Sequence, residues 1–70
     1  MTSDEAITKA RALAEHEGWL FREPASARLL TRSGQRRWEV MSNAHALGAK
    51  VRVVLDADSG EVIDKGYVPR

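Results

Sequence analysis

Residues 50–63, KVRVVLDADSGEVI, limit what this chain can fold into more than any other stretch. Val51, Val53 and Leu55 sit two apart, so they fall on one side of a pleated strand. Lys50, Arg52 and Asp56 take the opposite side, where Val54 is the apolar exception. Asp58-Ser59-Gly60 suits a three-residue hairpin loop with Gly60 in the left-handed conformation, and a second β-prone run follows at once.

A second hairpin is readable upstream, in residues 27–41. A two-residue Ser33-Gly34 loop sets Leu29 opposite Trp38 and Ala27 opposite Val40 on one face, and Arg28 opposite Glu39 on the other. A three-residue loop would pair Leu30 with Trp38 and Arg28 with Val40, mixing charged and apolar partners. Register follows the buried face, so the two-residue loop is expected.

The chain opens with a helix of about three turns. Thr2 or Ser3 caps it, Thr2-x-x-Glu5 has capping-box spacing, and Asp4 and Glu5 complement the positive end of the helix dipole. Ala6, Ile7, Ala10, Leu13 and Ala14 form a narrow apolar stripe, and Gly18 stands where a C-cap glycine belongs. So alanine-rich a stripe lets the helix lie close against a sheet. Trp19-Leu20-Phe21 is expected to add the core volume the alanines cannot supply. Pro24 excludes a helix across the next stretch. Residues 42–49, SNAHALGA, read as a connection between the hairpins, with a short helical turn as the other option.

Seventy residues give one domain, 1–70. The fold class expected is α+β: one N-terminal helix packed on a four-stranded antiparallel sheet of two sequential hairpins. With 43% hydrophobic and 30% charged residues the chain is globular, and its length makes a deep enclosed active site difficult to build. The absence of cysteine excludes disulfides, thiolate zinc sites and cysteine nucleophiles. The start carries acids and no apolar h-region, and no run approaches the ~18–20 apolar residues of a membrane span, so a cytoplasmic location is expected.

The order of elements, with Trp38 and Val40 on a central strand and Val53, Val54, Asp56, Ala57, Ser59, Gly60, Glu61 and Val62 in the closing hairpin, resembles the PepSY domain family. Some small bacterial immunity proteins with cystatin-like folds end in a similar hairpin. Resemblance to PepSY implies a helix on an antiparallel sheet, no catalytic residues, and a role in binding or restraining a peptidase or another protein partner.

Candidate chemistry is sparse. His16 belongs to the helix end, and His45 has no carboxylate or second histidine close in sequence, so neither suggests a metal site. Asp56, Asp58 and Glu61 are too few for a calcium loop, and hairpin capping by Asp56 or Asp58 is expected instead. Nucleophile motifs, phosphate loops and dinucleotide fingerprints are missing. No catalytic, cofactor or metal residue is therefore assigned, and an enzyme is not expected.

Charge, by contrast, is uneven along a chain whose net charge is only +1. Residues 1–18 are acidic, whereas Arg22, Arg28, Arg32, Arg36 and Arg37 face Glu23 alone in residues 22–37. Arg28, Leu30, Arg32, Arg36, Arg37 and Val54 are the candidate partner-binding face. The function expected is a non-enzymatic protein-binding, regulatory or inhibitory module whose partner is a peptidase, a toxin or another protein. The alternatives are an immunity-type protein and a weak nucleic-acid binder using the arginines, aided by Phe21 or Tyr67. Apolar area at Leu30 and Val54 and two open sheet edges also allow a homodimer.

Overall fold

Helix α1 (Ser3–Glu17) is followed by four strands, β1 (Ser26–Arg32), β2 (Gln35–Met41), β3 (Lys50–Asp56) and β4 (Val62–Val68). The structure is a computed structural model in which residues 1–44 and 48–68 are described. The strands form one antiparallel sheet in the order β1-β2-β3-β4. The expected fold class is the observed one. No helix among the described residues is long and apolar enough to cross a membrane.

The helix is bounded by the expected devices. The Thr2 hydroxyl accepts from the Glu5 amide while the Glu5 carboxylate accepts from the Thr2 amide at 2.7 Å, a complete capping box. Gly18 closes the other end with φ 77°, and its amide reaches back to the Ala14 and Glu15 carbonyls. Ala6, Ala10 and Ala14 are fully buried, and Ile7 and Leu13 flank them. Side chains this small let α1 approach the sheet closely across β1, β2 and β3. Contact with β4 comes from the Glu17–Lys65 ion pair at 3.0 Å and from Trp19 stacked on Tyr67.

Beneath the helix, Val40, Val51, Val53 and Leu55 are fully buried, with Trp38 and Val62 packed beside them. Trp19 and Phe21 also pack on this core, but Leu20 is 59% exposed. The expectation that all three supply core volume is corrected: successive side chains of a non-helical segment point in different directions, so Leu20 between two inward neighbours faces solvent.

Hairpin β1–β2 has the expected register, with Leu29 opposite Trp38, Ala27 opposite Val40 and Arg28 opposite Glu39. Its loop residues Ser33 and Gly34 both have positive φ, 52° and 78°, the signature of a type I′ turn. Hairpin β3–β4 departs from expectation in two ways. The turn occupies residues 57–60 rather than Asp58-Ser59-Gly60 alone, because the Asp56 carbonyl accepts from the Gly60 amide and the Asp56 carboxylate holds the amides of Asp58 and Ser59 at 2.8 and 2.9 Å. Gly60 itself has φ 76°, as expected. Further on, Leu55 faces Val62 while Val54 faces Asp64, so Ile63 is an extra, bulged residue.

Those turn bonds hold the Asp56 carboxyl below its usual range, through the Ser59 amide first and then the Asp58 amide, with help from the Ser59 hydroxyl and the Arg37 charge. Glu5 is likewise lowered by the Thr2 amide and hydroxyl. A depressed folded pKa stabilises the fold above the unfolded value, and that stability is lost as pH falls through the folded value. Stability should therefore stay level down to a pH of about 4, the ordinary carboxylate pKa, and decline below it. Asp56→Asn should unfold at lower urea than wild type at pH 7, and the gap should close in acid. A gap independent of pH would show that the charge is not what matters.

Between the hairpins, buried Ser42 accepts the Val51 amide on its hydroxyl at 2.8 Å, and its own amide donates to the Val51 carbonyl. Asn43 and Ala44 donate their amides to the carbonyls of Arg22 and Pro24, tying this connection to the segment after the helix. His45, and the option of a helical turn reaching it, lie outside the described residues.

Candidate partner-binding face

The helix lies on one side of the sheet, and among the described residues nothing covers the other side. The alternation of each strand decides which side chains stand there. Arg28, Glu39, Val54 and Asp64 form one row across all four strands, and Leu30, Arg37 and Asp56 form the next. Arg32 lies beyond Leu30 on β1, and Arg52 joins the row of Ser26 and Met41.

Glu39 occupies the centre, its side chain only 14% exposed. One carboxylate oxygen accepts from Arg28 Nη2 at 2.8 Å, and the other accepts from Arg52 Nε at 3.0 Å. Arg52 in turn donates to Asp64 at 3.2 Å. The result is a charge ladder, Arg28–Glu39–Arg52–Asp64, with one member on each strand. Its outer members are mostly exposed, so each terminal pair is worth only about 0–1 kcal/mol. The ladder neutralises the middle of the face. It does not neutralise the β1–β2 hairpin end.

At that end stand Arg32 and Arg37. Arg37 lies opposite Asp56, whose Oδ1 accepts both turn amides and whose charge Arg37 feels without a direct ion pair among the described residues. Instead Arg37 donates from Nη2 to the neutral Gln35 side-chain oxygen at 2.7 Å, and its buried Nε has no hydrogen-bond partner. Arg32 makes no ion pair among the described residues. Between these cations and the ladder runs a groove of about 470 Å³, lined by Leu30, Val54 and Ile63 together with Arg32, Arg37, Arg52 and Asp64.

Five of the six expected residues, Arg28, Leu30, Arg32, Arg37 and Val54, therefore share one face. Arg36 does not. It sits opposite Thr31 on the other side of the sheet, and its guanidinium binds Asp58 at 2.6 Å. Val54 is on the face but only 5% exposed, so it contributes the groove's lining rather than open apolar area. That area comes from Leu30 and from Ile63, 42% exposed. Alternation already placed Arg52 on this side. Ile63 carried no signal, because only the bulge brings it there beside Asp64.

The aromatics stand elsewhere. Phe21 lies under the Arg11 guanidinium, 5.4 Å from it, and Tyr67 opposes Val51 on the helix-bearing side, stacked with Trp19. Neither joins the arginines as a base-stacking platform. Among the described residues no group of three or more His, Asp or Glu is placed to hold a metal ion. No family model, curated protein or solved structure matches this chain.

Proposed function

We propose that the chain is a non-enzymatic binding module, akin to PepSY domains, that takes a protein partner on its uncovered sheet face. The observation that carries this reading is the asymmetry of that face. Glu39 and Asp64 neutralise Arg28 and Arg52, while Arg32 and Arg37 stand beside Leu30, Val54 and Ile63 and make no direct ion pair among the described residues, Arg37 having only the charge of Asp56 opposite it. An apolar patch edged by arginine is the composition of protein interfaces, where arginine and desolvated apolar contacts dominate the binding energy.

Nucleic acid fits this face less well. Glu39 and Asp64 lie in the path of a phosphate backbone, and the aromatics are on the other side. Short RNA or DNA should show no measurable binding near physiological salt. Micromolar binding with a log–log salt slope of roughly −3 would favour the nucleic-acid reading instead.

Photo-crosslinking inside the source cells tests the proposal. p-Benzoylphenylalanine in place of Leu30 should capture one protein, and the same residue in place of Ala12 on the exposed helix side should not. Equal capture from both positions, or none from position 30, would remove the proposal.

A further inference from the structure

We infer that the segment recognised is an extended acidic one, in which two carboxylates two residues apart meet Arg32 and Arg37 and a following aliphatic side chain enters the groove beside them. This rests on the reading of the sheet face as a protein-binding surface and gives that partner its chemistry.

The spacing comes from the sheet. Arg32 lies opposite Gln35, and Arg37 is two residues further along β2, so the two arginines are diagonal neighbours. Such neighbours stand about 7–8 Å apart. In an extended peptide, residues i and i+2 share a side and stand about 7 Å apart at ~3.4 Å per residue. An acidic-x-acidic segment crossing from β1 towards β4 therefore matches both cations. Its next same-side residue falls towards Val54 and Ile63, the groove's apolar residues on β3 and β4.

The charge pattern fixes where the acids can go. Glu39 and Asp64 repel carboxylates from the middle of the face, Asp56 repels them from the β3 side of Arg37, and Arg28 and Arg52 are already engaged. Arg37 gains most from a carboxylate. It is partly withdrawn from water, and its only hydrogen-bond acceptor among the described residues, the Gln35 side-chain oxygen, is neutral. An arginine–carboxylate pair adds charge attraction and a second, parallel N–H···O bond that a single amide oxygen does not provide. The chain's own helix does not supply such a segment. Glu5 is bound in the capping box and Glu17 to Lys65, while Asp4 and Glu15 lie about 16 Å apart along the axis at 1.5 Å per residue.

The test is a titration of the 15N-labelled chain with the acetylated, amidated peptide Glu-Ser-Glu-Ser-Leu, followed by amide chemical shifts. Shifts are expected at Leu30, Arg32, Arg37 and Ile63 and not along α1. Binding should weaken about tenfold or more in Arg32→Gln/Arg37→Gln and for the peptide with Gln in place of Glu. Arg32→Gln alone, at an exposed site, should weaken it in the same direction. Shifts that are absent, or unchanged by either neutralisation, overturn the inference. Displacement of the peptide by an oligonucleotide, or concentration-dependent shifts of the same amides in the free chain, would overturn it too, assigning the face to nucleic acid or to a second copy. If crosslinking from position 30 succeeds while the peptide fails, the face still takes a protein and only the acidic chemistry falls.

Discussion

Leu55→Ala is expected to lower the unfolding free energy by about 3 kcal/mol, within the range for a fully buried leucine. Leu55 has no exposed surface and lies on a central strand between Trp38 and Val62. The cavity left behind cannot close easily, because the residues that α1 lays on the sheet are alanines already in close contact. A domain of this size has a total stability of roughly 4–10 kcal/mol, so the variant should lose about a third to three quarters of it. Leu55→Met, which preserves volume, should cost less than about 1.5 kcal/mol. Urea unfolding monitored by tryptophan fluorescence reads both. Equal losses for the two variants would mean that packing at this site is looser than the buried surface implies.

Trp38→Ala should cost about 2–4 kcal/mol, near or below the lower end of the range for buried aromatics because the ring is only partly enclosed. Trp38 does two things. Its ring covers the core between Leu29 and Leu55, and its Nε1 donates to the Met1 carbonyl at 3.1 Å. That bond holds the residue just before the helix cap to the sheet. Trp38→Phe keeps most of the ring and loses the bond, so it should cost about 1 kcal/mol. Stability like wild type in Trp38→Ala would exchange the inner and outer faces of the sheet and carry the arginine face with it.

The fold was legible because independent local signals agreed. The capping box, Gly18, the Ser33-Gly34 turn and the alternation of Val51, Val53 and Leu55 each pointed to the same elements, and the buried face, with Leu29 opposite Trp38 and Ala27 opposite Val40, set the first hairpin's register. What escaped the sequence depends on contacts between strands. Nothing local distinguishes Ile63 from an inward strand residue, because its placement comes from a one-residue slip between β3 and β4. Arg36 is adjacent to Arg37, and charge alone groups them, yet alternation sends them to opposite sides. Val54 reads as an exposed valine, but the arginine-bearing strands around it leave it almost covered. The candidate site was thus readable as a set of arginines. Which of them are already neutralised was not, because that depends on how Arg52 reaches both Glu39 and Asp64.

On the proposed function, Arg32 and Arg37 stand on the sheet for a ligand and not for the fold. Structural residues lose stability on replacement, whereas residues kept for binding often do not. Arg32 is exposed without an ion pair among the described residues, and replacing it should change stability by less than about 0.5 kcal/mol. Arg37 holds a buried, unbonded Nε, so an unbranched apolar side chain there should be neutral or stabilising. Thermal unfolding of Arg32→Gln/Arg37→Met against wild type is the direct measurement. The melting temperature should lie within about 4 °C of wild type or above it. A fall of more than about 8 °C, equivalent to 1 kcal/mol or more in a domain this small, would show that the arginines serve the fold and contradict their proposed role.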